Sequence, residues 1–174
     1  MNRTDLEAEI RRLHGESWGW ALACCHGNRS DAEDVLQNAY VRVLSGRAHF
    51  DRRSAFRTWL FGVIRHTAAE YRRSRTRYDA ALNRSAREAT PGTDSAGALT
   101  AHDRIERDEM VERLNQALEQ LTPMQRNVLH LVFYQGMTIA DAAAALGVRL
   151  GTARTHYARG KKRLGLLLRG AVTR

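Results

Sequence analysis

Cysteine, proline and long apolar runs are all scarce in this chain of 174 residues. Its two cysteines, Cys24 and Cys25, are adjacent, so they cannot form an ordinary structural disulfide with each other and they lack the usual spacing of metal ligands. No apolar run approaches the ~20 residues that a membrane-spanning helix needs, and the charged beginning MNRTDLEAEIRRLHG lacks the apolar core of a secretion signal. We therefore expect a cytoplasmic protein with no membrane span, no metal and no cofactor.

Strand patterns are also lacking, and the first 75 residues predict three helices. The first is expected to run from Leu6 to Cys25. The second is opened by Ser30 with Glu33 as its capping-box partner, and the third is opened by Ser54. The fold class expected from these patterns is all-α.

A second helical domain is predicted over residues 104–174. It begins with an amphipathic helix to Gln120, after which Thr122, Pro123 and Gln125 supply a capping box with proline in the first helical turn. Two small helical domains are therefore expected rather than one.

The stretch between the two predicted domains loses its apolar periodicity. Residues 76–103 gather Arg, Ala, Thr, Ser and Gly around Pro91, a composition typical of a flexible linker. The predicted organisation is thus a domain at 1–75, a linker at 76–103 and a domain at 104–174.

Acidic residues are absent from 148–174, which contains eight Lys or Arg. Just before this stretch, Thr138 with Asp141 marks a helix start, and Gly147 suits the tight turn that follows. The next helix has an apolar face of Ala153, Tyr157, Gly160, Leu164, Leu167 and Leu168, and an opposite face of Arg154, Thr155, Ala158, Arg159 and Lys162. With a net charge of +9, this helix-turn-helix predicts DNA binding, which we favour over a merely solvated charged face.

The third helix of the first domain carries arginines beside aromatic residues. Phe56, Leu60, Val63, Thr67 and Tyr71 line one face, and Arg57, Phe61, Arg65 and Arg72 line the other. We favour core packing for Phe56 and Trp59. For Phe61, core packing and stacking on an unpaired base both stay open.

The second helix has a polar face that begins with acids. Asp31 and Asp34 lie at the positive end of the helix dipole, which alone explains their presence. Gln37 and Asn38 continue the same face, however, and in a basic protein such a face predicts a protein-docking surface.

In order, the segments DAEDVLQNAYVRVL, FRTWLFGVIRHTAAEYRRSR and LTPMQRNVLHLVFYQGMTIADAAAALGVRLGTARTHYARGKKRL cover nearly the whole chain outside the linker. This ordered set resembles a bacterial RNA polymerase sigma factor of the small extracytoplasmic-function (ECF) group of the sigma-70 family. The resemblance implies an alternative sigma factor that binds core polymerase and directs promoter recognition and melting, while the polymerase makes the RNA. The chain is then not itself an enzyme.

The resemblance also implies three sets of contacts. Docking on the β′ clamp coiled coil of core polymerase is implied for Asp31, Asp34, Gln37, Asn38 and Leu44. Capture of the melted non-template strand of the minus-ten element is implied for Arg57, Phe61, Arg65, His66, Glu70, Arg72 and Arg73. Recognition of the minus-thirty-five element is implied for Arg126, Arg154, Thr155, Ala158, Arg159, Lys161 and Lys162.

Further partners implied by the resemblance are the β flap of polymerase, promoter DNA in double-stranded and melted form, and an anti-sigma factor. Such a protein is bacterial and cytoplasmic, associates with the nucleoid when polymerase-bound, and is held near the membrane by some anti-sigma factors.

Two other classes are weighed against this interpretation. A stand-alone helix-turn-helix regulator has no need of the acidic docking helix. A metal-dependent nucleic-acid enzyme is suggested by Cys24, Cys25 and His26, but the sequence contains no HExxH, phosphate loop or paired CxxC.

Overall fold

The computed structural model describes residues 3–85 and 103–170, and within these ranges every regular element is helical. The α-helices, in chain order, are α1 (Arg3–Arg12), α2 (His14–Cys24), α3 (Arg29–Leu44), α4 (Phe56–Ser85), α5 (Asp103–Glu119), α6 (Pro123–Leu129), α7 (Ile139–Leu146) and α8 (Leu150–Gly170). A short π-helix, His130–Tyr134, lies between α6 and α7. The all-α prediction is confirmed.

Local capping signals determine three helix ends as predicted. At the start of α6, the side chain of Thr122 accepts a hydrogen bond from the backbone of Gln125, whose side chain accepts one from the backbone of Thr122. At the start of α7, the hydroxyl of Thr138 accepts from the backbone N–H of Asp141 and donates to its carboxylate. Gly147 ends α7 in the left-handed region at φ 62°, which glycine adopts without steric cost.

Two predicted helix starts are wrong. The side chain that caps α3 belongs to Asn28, which accepts from Asp31 N at 3.0 Å, whereas Ser30 is already inside the helix. The left-handed turn at His26 and Gly27, with φ of 54° and 85°, brings Asn28 into the capping position. At α4 the helix begins after Ala55, whose carbonyl accepts from Trp59 N.

One predicted helix differs from the observed structure. The first helix is divided at Leu13, where the backbone leaves the helical region at φ −94° and ψ 4°. Helix α4 continues to Ser85, beyond the predicted domain end at residue 75. Most of the predicted linker, residues 86–102, lies outside the described residues, so the linker stays a prediction.

The hydrophobic core is continuous between the helices of the N-terminal and C-terminal parts. Trp20 is fully buried in α2; its indole N–H donates to the carbonyl of Phe61 at 2.9 Å, and its ring lies 5.3 Å from that of His130. Helix α7 packs against α4, where a Cβ on Gly62 would lie 3.4 Å from the carbonyl oxygen of Ala145. The small residues of α7 thus allow a close contact that we call the α4–α7 contact.

Candidate nucleic-acid and protein-docking surfaces

Helix α8 separates an apolar face from a cationic face, as the sequence predicts. Ala153 is fully buried, and a Cβ on Gly160 would lie 3.1 Å from the Cβ of Gln125, so α8 packs closely on α6. The hydroxyl of Thr155 donates to the carbonyl of Gly151. The exposed residues on the opposite side are Arg154, Thr155, Ala158, Arg159, Lys161 and Lys162. A cationic surface of this kind suits the phosphates and base edges of duplex DNA.

Arg126, which the resemblance groups with α8, lies elsewhere. Its guanidinium donates to the carbonyls of Leu118 and Glu119 and so satisfies the end of α5. It also lies 2.8 Å from Nδ1 of His26. Burial and the nearby guanidinium of Arg126 lower the pKa of His26, so the ring is a neutral acceptor here. In this arrangement Arg126 is a half-buried contact between the two halves of the protein.

The polar face of α3 is accessible to a partner. Asp34, Gln37 and Asn38 are exposed, and Leu44 is half-buried at the other end of the helix. Asp31 is half-buried and pairs with Arg75 of α4 at 2.5 Å. The structure therefore places the five predicted docking residues on one helix, and three of them face solvent.

Helix α4 presents a network of charged side chains next to that face. Glu70 pairs with Arg42 of α3 at 2.5 Å and with His66 at 3.1 Å. The hydrogen bond from Arg42 holds the pKa of Glu70 below its ordinary value. An open groove of about 500 Å³ separates α3 from α4 here, and Arg73 and Asn38 are among its lining residues.

The guanidinium groups of two arginines of α4 bind backbone carbonyls or a carboxylate of neighbouring elements. Arg72 donates to the carbonyl of Cys24 at 2.6 Å, in the last turn of α2. Arg57 pairs with Glu16 at 2.5 Å and donates to the carbonyl of Gln135, which follows the π-helix. Both arginines hold elements of the fold together in this arrangement.

Phe61 is not exposed, as a side chain that stacks on a base has to be. This side chain is fully buried, its ring is stacked on Trp20, and the guanidinium of Arg57 lies 5.4 Å from its centre. Of the two interpretations left open by the sequence, core packing is the one that the structure adopts. The glycine beside it and the alanine-rich α7 are the sequence signals of the α4–α7 contact, whereas Phe61 itself packs on Trp20 of α2.

Sequence reasoning missed the π-helix and the surface that it creates. Phe133 and Tyr134 are 61% and 74% exposed, and beside them an open groove of about 940 Å³ is lined in part by Leu114 and Leu118 of α5. His130 is half-buried and lines the same groove, and burial lowers its pKa to about 4. No residue pattern in this stretch distinguishes a π-helix from an α-helix.

The cysteines are buried thiols. Both are free, and burial raises the pKa of Cys24 to about 12 and that of Cys25 to about 11. A thiol with so high a pKa is a poor nucleophile and metal ligand. Within residues 3–85 and 103–170 there is no cluster of three metal-ligating side chains. Among the described helices, none combines the length and apolar character needed to cross a membrane.

Comparison with known proteins gives two family matches in the order of the fold. Sigma-70 region 2 matches residues 10–78, and Sigma-70 region 4 matches residues 111–164. The ECF RNA polymerase sigma factor SigC of Mycobacterium tuberculosis is 31% identical over 165 residues, covering 94% of this chain and 83% of the relative. SigX of Bacillus subtilis is 32% identical over 136 residues, covering 78% and 69%.

Solved structures share the whole architecture. The sigma factor RpoE from Bartonella quintana, solved with the anti-sigma factor NepR, has a TM-score of 0.70 at 23% identity and covers 98% of this chain and 99% of that one. CnrH, solved with the cytosolic domain of CnrY, has a TM-score of 0.64 at 22% identity, with coverage of 97% and 90%. These likenesses concern the fold, whereas the sequence relatives and the paired regions determine membership: the chain belongs to the ECF RNA polymerase sigma factors, alternative sigma factors that direct transcription initiation.

Proposed function

We propose that this sigma factor docks on core RNA polymerase through the polar face of α3 and recognises its promoter through α4 and α8. The observation that carries the proposal is the presence of an exposed acidic and amide surface on α3 and an exposed cationic surface on α8 of the same chain. A stand-alone DNA-binding regulator accounts for the second surface but not for the first. In this scheme the chain supplies specificity, and the polymerase carries out the synthesis of RNA.

Docking on polymerase is assigned to Asp34, Gln37 and Asn38, with Asp31 and Leu44 at the edges of the surface. An exposed carboxylate beside two amides suits a partner that offers basic and hydrogen-bonding groups, and the β′ clamp coiled coil is the expected partner. Opposite charge across such an interface mainly speeds association and sets orientation.

Capture of the melted strand is assigned to the exposed part of α4. His66 and Arg73 are exposed on the side of α4 next to the docking surface, and Glu70 is half-buried there, paired with Arg42 and His66. Arg65 is also half-buried on this helix. Phe61 is buried, and Arg57 is half-buried and paired with Glu16, so neither belongs to this surface in the present arrangement. Arg72 is exposed, but its guanidinium donates to the carbonyl of Cys24. Unpaired bases offer the stacking faces and edges that a duplex hides, and His66 and Glu70 supply a donor and an acceptor for them.

Duplex recognition is assigned to the exposed face of α8. Arg154 and Arg159 are the expected base-reading residues, since arginine binds guanine through two hydrogen bonds in the major groove. Lys161 and Lys162 are expected to bind phosphates, which fixes position without reading sequence. With the proposed domains at 1–75 and 104–174, the residues assigned to docking and strand capture lie in the first domain, and α8 lies in the second.

Other partners of the free protein follow from family membership. An anti-sigma factor is expected to cover the docking surfaces, as the Bartonella neighbour was solved with one. The β flap of polymerase is the expected partner of the C-terminal domain. The expected location is the bacterial cytoplasm, with nucleoid association through polymerase and membrane proximity through an anti-sigma factor.

The test is reconstitution with sigma-free bacterial core polymerase, followed by sequencing of transcripts made from a fragmented genomic library. New starts that share two spaced upstream motifs support the proposal. Absence of both a core complex and new starts, with folded protein, refutes it and favours the stand-alone regulator.

Two variants then separate the proposed surfaces. Asp34→Ala combined with Gln37→Ala is expected to weaken core binding and leave the fold intact, because both side chains are exposed. Arg154→Ala is expected to spare core binding and impair upstream recognition. Loss of function through unfolding in both variants contradicts the assignment.

A further inference from the structure

Helix α4 is attached to the polymerase-docking face of α3 by polar bonds as well as by apolar packing. The hydroxyl of Tyr71 lies 3.2 Å from Oδ1 of Asp31 and 3.1 Å from Oδ2 of Asp34. Arg75, one helical turn further along α4, pairs with Asp31. The side chain of Tyr71 is therefore a single contact shared by two of the residues assigned to polymerase docking.

A hydroxyl has one proton to donate, so Tyr71 cannot donate to both carboxylates at once. Burial, followed by the two carboxylates, raises the pKa of Tyr71 to about 12, so the proton is retained at neutral pH. Asp31 already has the guanidinium of Arg75. Asp34 is exposed, and its contact with Tyr71 leaves further lone pairs available to a partner.

The residue before Tyr71 makes the second polar connection between the same helices. Glu70 pairs with Arg42, which lies on α3 beyond the docking residue Asn38. Adjacent positions on α4 thus hold both ends of α3. The proposed strand-capturing residue Arg73 lies two positions further along the same helix.

We propose that Tyr71 is a positioning residue of the docking surface: its hydroxyl fixes the rotamer of Asp34 for polymerase and keeps that carboxylate aligned with the strand-capturing side chains of α4. The inference rests on the proposed function, since it assumes that α3 docks on core polymerase. Fixing a side chain before binding removes part of the ordering cost of the complex.

The experiment is a double-mutant cycle on the affinity for sigma-free core polymerase, measured with the full chain. It uses the wild type, Tyr71→Phe, Asp34→Ala and the double variant. Phenylalanine keeps the ring that packs between the helices and removes only the hydroxyl. Tyr78→Phe is the matched control, because Tyr78 lies on the same helix and is 65% exposed.

The expected result is that Tyr71→Phe weakens core binding about three- to tenfold, which corresponds to the net contribution of one typical hydrogen bond. In the Asp34→Ala background the same change is expected to alter affinity less than about twofold, because the acceptor that Tyr71 orients is gone. Tyr78→Phe is expected to bind as the wild type does. A general loss of structure cannot produce dependence on Asp34.

The outcomes separate this inference from the function on which it rests. If the wild type fails to bind core, the proposed docking function fails. If the wild type binds and Tyr71→Phe binds equally well, or is weakened equally in both backgrounds, docking stands and the role of Tyr71 is overturned.

A second cycle covers the case in which Tyr71→Phe does not fold. It combines Asp31→Ala with Asp34→Ala and keeps Tyr71. Because the hydroxyl of Tyr71 contacts both carboxylates, the effects of the two substitutions on core affinity are expected to be non-additive. Additive effects overturn the inference.

Discussion

Acidification is expected to destabilise this protein through His130, the half-buried histidine of the π-helix. The ring lies 5.3 Å from Trp20 and 5.0 Å from Tyr134, and its Nε2 accepts a hydrogen bond from the side-chain amide of Gln135 at 3.3 Å. The same amide donates to the carbonyl of Glu16. Protonation of His130 brings an N–H against the N–H of Gln135, so the neutral ring is the form that the fold accommodates.

The sign of the change in the free energy of unfolding on acidification follows from the lowered pKa of His130. In the folded protein the pKa of His130 is about 4, whereas an unfolded chain has a histidine pKa of about 6.5. As the pH falls from about 6.5 towards 4, His130 becomes protonated in the unfolded chain but stays neutral in the folded protein. The free energy of unfolding therefore falls. Linkage gives a loss of about 2 kcal/mol at pH 5, and almost none at pH 7.5.

The assay is urea unfolding at pH 7.5 and pH 5.0 for the wild type and for His130→Phe, which keeps an aromatic ring against Trp20 and cannot be protonated. The wild type is expected to lose about 2 kcal/mol more than the variant between the two pH values. His49→Gln is the control, because His49 is exposed in the loop before α4, and it is expected to retain the wild-type loss. An equal loss in the wild type and His130→Phe refutes the reasoning.

Two further predictions concern backbone signals, and both are read from thermal or urea unfolding. Asn28→Ala is expected to cost about 1 kcal/mol because it removes the α3 cap, whereas Ser30→Ala, inside the helix, is expected to change stability little; the reverse order contradicts the observed cap. Gly147→Ala is expected to cost about 1 to 2 kcal/mol because the turn requires a left-handed residue. Gly151→Ala, at a helical position with nothing within 4 Å of the new methyl group, is expected to be neutral or stabilising, and an equal loss at both glycines contradicts this account.

The features predicted correctly from the sequence are those determined by residues close in the chain. The side chains of Thr122 and Gln125 accept hydrogen bonds from each other's backbone N–H groups within a single turn. Gly147 ends α7 because glycine adopts the left-handed conformation without steric cost. The division of α8 into a buried and a cationic face likewise follows from periodicity alone. No distant contact is needed for any of these.

The features that were missed depend on distant parts of the chain. Two residues capable of capping α3, Asn28 and Ser30, lie two positions apart, and the preceding left-handed turn decides between them. Phe61 is buried by Trp20 and by helices packed against α4, and these partners are distant from it in the sequence. The hydroxyl of Tyr71 reaches Asp31 and Asp34 only because α3 and α4 pack side by side, which periodicity within either helix does not specify.

The two surfaces proposed to bind DNA differ in how they depend on the α4–α7 contact. Helix α7 packs on α4 through its small residues, whereas the cations of α8 point to solvent in the same arrangement. Recognition of duplex DNA by Arg154 and Arg159 therefore requires no separation of α7 from α4. Any contact between a base and Phe61 does require rearrangement, because the ring is fully buried against Trp20. In this arrangement the side chains of α8 that we propose bind duplex DNA are exposed, whereas Phe61 is not accessible to a melted strand.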